Sequence, residues 1–144
     1  MEDKSITETA ADYNKTASSL NSQGRYNDAE RLFRKVLEIR LEVLGEAHPD
    51  TASSYNNLAS SMNAQGLYVE AEPLYRKALT IWQSTFGESH PETATGYSNV
   101  AGNLDNQGRF DEAGPLYHKG LEIRLEVLGE NHPDTASNLS LIHI

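Results

Sequence analysis

This sequence predicts an all-α fold, a right-handed superhelix of three stacked helical hairpins plus a partial fourth, on three observations. The chain repeats itself at a shift of 42 positions, so that residues 9–50, 51–92 and 93–134 lie in register. Apolar and small residues recur within each unit at intervals of three and four, the spacing of one helix face. Two glycine motifs punctuate every unit at the same places: Gln-Gly at Gln23-Gly24, Gln65-Gly66 and Gln107-Gly108, and Gly-Glu-x-His-Pro at residues 45–49, 87–91 and 129–133. A fixed period of this size is the mark of a stacked array, whose units bury their apolar sides only against neighbours.

The polar residues 1–8 are expected to form a frayed lead. Helix A of the first unit follows, with Ala10, Tyr13, Ala17 and Leu20 on one face. Gly24 ends it, because glycine readily takes the left-handed conformation that closes a helix. Helix B then carries Ala29, Leu32, Phe33, Val36, Leu37, Ile39 and Leu44 and stops at Gly45. Proline at the opening of the next helix, with an acid in its first turn, is the order helix termini prefer. The second unit repeats this with Tyr55, Leu58, Ala59 and Met62, then Ala71, Leu74, Tyr75, Ala78, Leu79 and Ile81. The third does so with Tyr97, Val100, Ala101 and Leu104, then Ala113, Leu116, Tyr117, Leu121 and Ile123. Pro73 and Pro115 are expected near the first turn of helix B, where a missing N–H costs least, or else to mark a local kink in it. A fourth unit opens at residue 135 and departs from register at residues 139–144. That segment, LSLIHI, matches one reading frame of a sequencing-library adapter and is expected to be non-native, ending a truncated gene model.

Composition excludes several functions. At 144 residues the chain can bury one continuous core. Without cysteine it has no disulfide and no thiol chemistry. A net charge of −9 argues against nonspecific nucleic-acid or anionic-membrane binding, which need a basic face. No apolar run approaches the roughly 18 residues of a membrane span, and the opening residues lack a signal peptide's apolar core; a cytoplasmic location is the default. His48, His90 and His132 recur once per unit in the same His-Pro entry, so a helix-start role accounts for them better than a metal ladder or a pH switch. No nucleophile stands in a recognisable catalytic motif. No enzyme, cofactor or metal site is expected.

The residues within each unit resemble the tetratricopeptide repeat. Its pattern of aromatic, small residue, glycine, aromatic, alanine, aromatic stands as Tyr13, Ala17, Gly24, Tyr26, Ala29 and Phe33, as Tyr55, Ala59, Gly66, Tyr68, Ala71 and Tyr75, and as Tyr97, Ala101, Gly108, Phe110, Ala113 and Tyr117. Small residues let paired helices approach while aromatics fill the volume between hairpins. The long period and the Leu-Gly-Glu-x-His-Pro linker are similar to the repeats of kinesin light chain, without that family's heptad coiled coil. The resemblance implies a non-catalytic scaffold that takes an extended peptide or partner protein, such as a cargo or adaptor segment, in a concave groove lined by helix A. The groove positions it implies are Ala11, Asn14, Lys15, Ser18, Asn21 and Ser22, then Ser53, Asn56, Asn57, Ser60, Asn63 and Ala64, then Thr95, Ser98, Asn99, Gly102, Asp105 and Asn106. Only Lys15 and Asp105 among them are charged.

Asparagine both donates and accepts, so Asn14, Asn56, Asn57 and Asn99 could clamp a peptide backbone whatever its side chains. Of the helix A positions with which related domains grip the acidic tails of heat-shock chaperones, here Asn14, Ser18, Asn57, Thr95 and Asn99, only Asn57 fits. The groove also lacks the basic character that tryptophan-acidic cargo peptides want. Glu30 with Arg34 and Glu72 with Arg76 read as solvent-facing pairs on helix B, and Trp82, at the position of Arg40 and Arg124, as a partner contact or as packing along the linker. The alternative reading is a segment of a larger regulatory or signalling protein that packs within its own chain or mediates self-association; the apolar end makes end-to-end association plausible.

Overall fold

Six helices follow one another in the computed structural model, which describes residues 2–129, with side chains from Ser5 onward. They are α1 (Glu2–Ser22), α2 (Tyr26–Val43), α3 (Pro49–Ala64), α4 (Tyr68–Phe86), α5 (Pro91–Asn106) and α6 (Phe110–Leu128). Each odd helix pairs with the even helix after it as a hairpin, and α2 packs on α3 and α4 on α5 to stack the hairpins. The fourth unit, His132 and residues 139–144 lie outside the described residues.

The turn inside each hairpin is the same closed motif. Gly24, Gly66 and Gly108 all take positive φ, near 80°. The next residue's N–H then reaches back to the carbonyl of Leu20, Met62 or Leu104 at 2.9 Å, and the glycine N–H to that of Asn21, Asn63 or Asp105. These two bonds satisfy carbonyls that a helix end leaves bare.

Between hairpins the Gly-Glu-x-His-Pro-[Asp/Glu]-Thr linker makes three hydrogen bonds around its proline, two of which sequence reasoning missed. His48 and His90 are N-caps: their Nδ1 accepts from the N–H of Asp50 at 3.0 Å and of Glu92 at 3.1 Å. Pro49 and Pro91 open the following helices, where the lost N–H has no intrahelical partner. The Thr51 hydroxyl donates to the Gly45 carbonyl at 2.8 Å and that of Thr93 to the Gly87 carbonyl at 2.7 Å. The linker carboxylate takes the helix A tyrosine hydroxyl, Tyr55 on Glu46 at 3.0 Å and Tyr97 on Glu88 at 2.8 Å.

Alanine places the helices close. Ala17, Ala59 and Ala101 on the odd helices and Ala29, Ala71 and Ala113 on the even ones are buried, and one cluster runs through all three hairpins by way of Phe33, Leu58, Met62, Tyr75, Val100 and Leu104. Truncating a fully buried leucine such as Leu58 or Leu104 to alanine costs about 2–5 kcal/mol.

Two expectations need correction, and one open choice is decided. Residues 2–8 are helical rather than a frayed lead, since α1 begins at Glu2. Pro73 and Pro115 lie past the first turn, six residues into α4 and α6. The carbonyl each leaves without its i+4 donor belongs to Val69 or Asp111, and both residues are exposed, so water can serve it. Trp82 is packing and not a surface contact: it is 3% exposed, in a second cluster with Ala52, Tyr55, Ala78 and Ile81.

Candidate binding groove

The odd helices carry two polar stripes. One is drawn into the seams between hairpins, and the other stays open. Ser54, Ser61, Asn103 and Thr93 are buried in the seams. Every position assigned to the groove, on α1, α3 and α5 alike, remains half-buried or exposed.

The groove asparagines pair with each other across the seams. Asn57 Nδ2 donates to Asn14 Oδ1 at 3.3 Å, and one hairpin later Asn99 Nδ2 donates to Asn56 Oδ1 at 2.8 Å. Both rungs join positions 43 apart, so the same contact is made twice. A carboxamide has two N–H donors and two oxygen lone pairs. Each rung therefore keeps unspent capacity, the Nδ2 of Asn14 or Asn56 and the Oδ1 of Asn57 or Asn99, with no other partner among the described residues. A third rung would start at Ser98, but there Arg124 Nη2 donates to the Ser98 hydroxyl at 3.1 Å.

The other groove residues divide by what they touch. Asn21 accepts from the Ser61 hydroxyl at 2.9 Å, and Asn63 accepts from Asn103 Nδ2 at 3.0 Å, both across seams. Ser60 hydrogen-bonds Tyr75, whose phenol is pushed up by burial. Asp105 hydrogen-bonds Tyr117, whose phenol is raised by burial and then by that carboxylate. Thr95 bonds back to the Pro91 carbonyl of its own helix. Lys15, Ser18, Ser53 and Asn106 offer side chains with no partner among the described residues.

Sequence reasoning missed the charge network beside the groove. The helical pairs of Glu30 with Arg34 and Glu72 with Arg76 are present, at 2.8 and 2.9 Å. Each carboxylate also reaches across a seam. Gln65 Nε2 donates to Glu30 at 2.8 Å; Gln107 Nε2 donates to Glu72 at 3.0 Å, joined there by Arg109 at 2.6 Å. Burial raises both carboxyl groups, but these donors outweigh it and hold the two below the usual carboxylate range. The signal available was the repeat of Glu and Gln 35 positions apart.

Among the described residues no group of three or more histidine, cysteine or acidic side chains could hold a metal ion, and no helix is long and apolar enough to cross a membrane. His48 and His90 spend Nδ1 on capping, which is their structural role.

A scaffold of stacked helical hairpins with an open polar face is the class these features define. Family models described as tetratricopeptide repeat match residues 9–50 and 93–134 in one case and residues 52–113 in another, and the chain belongs to the tetratricopeptide repeat family. A comparison with curated proteins returned no match.

Among solved structures, it is similar to a putative kinesin light chain of Podosopora anserina with nearly identical tetratricopeptide-like repeats, at 23% identity and a TM-score of 0.80 over 92% of this chain and 63% of that one. It is also similar to BtubC (BKLC) from P. vanneervenii, at 25% identity and a TM-score of 0.75 over 92% of this chain and 52% of that one. The tetratricopeptide domain of Arabidopsis FLU matches at 21% identity and a TM-score of 0.73, covering 84% of this chain and 98% of that domain. The chain thus spans less than two-thirds of the first two of these structures. Its repeats share the fold of that putative kinesin light chain's repeats, and the tetratricopeptide repeat is a protein-interaction scaffold.

Proposed function

We propose that the face lined by α1, α3 and α5 binds an extended segment of a partner protein through its backbone, as a cargo or adaptor segment is held in kinesin light chain-like arrays. The observation that carries this reading is the pair of asparagine rungs, Asn14 with Asn57 and Asn56 with Asn99. A peptide bond presents one N–H and one C=O, and each rung leaves one carboxamide nitrogen and one carboxamide oxygen wholly unspent. Recognition of this kind gives affinity without demanding particular side chains, and the neighbouring Ser18, Ser53, Lys15 and Asn106 are left to discriminate among them.

The test is a peptide-array screen comparing the native chain with a variant in which Asn14, Asn56, Asn57 and Asn99 are all alanine. Because the rungs also tie hairpins together, both proteins are first shown to be equally helical by circular dichroism at the assay temperature. At about 1 kcal/mol for each lost hydrogen bond, affinity falls by roughly tenfold or more for peptides held at either rung. Binding left unchanged in the variant overturns the reading.

A further inference from the structure

We propose that a cavity between α1 and α2 binds a short aliphatic carboxylate, with Arg40 as its counter-ion.

The cavity holds about 200 Å³ and is walled by Ala10, Ile39, Val43 and Leu44, with Arg40 and Asp50 beside them. Its lining comes from α1, α2 and the first turn of α3, so it sits where the first hairpin meets the second.

The second hairpin shows the same space filled. Ala10, Ile39 and Arg40 stand at the repeat positions of Ala52, Ile81 and Trp82, and those three belong to one buried cluster in which the indole is 3% exposed. Leu44 likewise stands where the second hairpin has Phe86. Replacing an indole by a guanidinium and a phenyl by an isobutyl group removes apolar volume and adds a charge. The first hairpin therefore keeps the aliphatic walls and leaves room between them.

Arg40 lacks the partner its position calls for. It is half-buried, and burial pulls its pKa below the ordinary guanidinium value, with the attraction of Asp50 only partly opposing. A cation taken out of water is costly unless it is paired. Arg40 nevertheless makes no ion pair among the described residues: its Nη1 donates to two neutral oxygens, the Ser54 hydroxyl at 2.8 Å and the Asp50 carbonyl at 3.3 Å. By contrast Arg34, Arg76 and Arg109 each hold a carboxylate. A guanidinium has five N–H donors, and the edge formed by Nε and Nη2, unspent here, is one that matches both oxygens of a carboxylate.

Walls and cation together set the ligand. At roughly 30 Å³ for each water-sized group, the space takes on the order of six non-hydrogen atoms, the size of butyrate. The aliphatic walls favour a hydrocarbon chain, and Arg40 favours an acid at its end. A free short-chain acid and the glutamate side chain of a partner share this chemistry. The inference is independent of the groove reading, since it uses neither asparagine rung.

Titration of the native chain with sodium butyrate, followed by amide NMR, tests this. The resonances of Ala10, Val43 and Leu44 should shift saturably, and butyramide, alike in shape but uncharged, should bind roughly tenfold more weakly or worse. Arg40→Gln should lose roughly tenfold or more in butyrate affinity, and Arg40→Trp, which fills the space as the second hairpin does, should abolish binding. Circular dichroism confirms that each variant keeps its helicity, and the comparison of acid with amide needs only the native chain. Acetyl-Gly-Glu-Gly-amide distinguishes the two sources: binding as tight as that of butyrate assigns the site to a partner's side chain, and weaker binding assigns it to a free acid. No saturable shift with either ligand, butyramide bound as tightly as butyrate, or undiminished binding by Arg40→Gln or Arg40→Trp each overturns the proposal.

Discussion

Four glycines inside helices make a graded test of how closely the hairpins pack. A glycine-to-alanine change at a free helical site stabilises by about 1 kcal/mol, because alanine loses less backbone entropy. Gly102 has only the Tyr117 hydroxyl within 4 Å of where its Cβ would stand, at 3.5 Å, an ordinary contact; Gly114 has open space there apart from its chain neighbours, of which Pro115 crowds the Cβ of a helical residue before it. Gly102→Ala should raise stability by about 0.5–1 kcal/mol, and Gly114→Ala by less, because its new Cβ meets the Pro115 ring. At Gly96 a Cβ would lie 2.9 Å from Leu79 Cδ1 and 3.2 Å from Leu79 Cα; the side chain can turn aside, but the backbone can yield only if α4 and α5 separate. At Gly120 it would meet the Ser98 hydroxyl at 3.0 Å and the Ala94 carbonyl at 3.1 Å.

Overpacking costs about 1–3 kcal/mol. Set against the helix gain, Gly96→Ala and Gly120→Ala should be neutral to about 2 kcal/mol destabilising. Urea unfolding followed by circular dichroism gives the four midpoints, and their order is the result of interest, since repeat arrays need not unfold in two states. A Gly96→Ala midpoint raised as far as that of Gly102→Ala would refute the close α4–α5 approach.

Two further outcomes follow from the linkers and the seams. His48→Ala and His90→Ala should each lower stability by about 1 kcal/mol through loss of an N-cap, with His48→Asn largely restoring it, as thermal denaturation will report. Glu72 has a folded-state pKa depressed by Gln107, Arg76 and Arg109 despite its burial. Its contribution is therefore full above the unfolded-state pKa and lost as pH falls through the folded one. Glu72→Gln should flatten the acid limb of the stability–pH curve; a limb of unchanged slope would show that Glu72 is not linked to folding.

Much of the fold was legible because its determinants are local. Gly24, Gly66 and Gly108 end helices by their own backbone freedom, and His-Pro followed by an acid starts them with contacts spanning two residues. The start of α1 was not legible, since nothing in residues 2–8 distinguishes a polar helix from a polar lead. Pro73 was misplaced because the tyrosine that opens α4 carries no capping signal, and its N-cap, Leu67, makes no side-chain hydrogen bond. The groove positions were reached through a family pattern, and the structure leaves all of them at least partly accessible. That the asparagines would bond one another was not foreseen, because their partners stand 43 positions away.

By itself, then, the sequence determined the period, the six helices and the polar character of their open face, all set by spacing and by chemistry within a few residues. Only the tertiary structure decided which polar groups are spent and which remain. Asn103 is buried against Asn63 and the Tyr68 carbonyl, while Asn99, four residues earlier on the same helix, keeps its oxygen free. Trp82 is sealed where Arg40, at the same place in the repeat, reaches the Ser54 hydroxyl. The physical reason is that stacking brings together positions 35, 40 and 43 residues apart, and how two hairpins rotate against each other is fixed by the packing of whole faces, which no local pattern encodes.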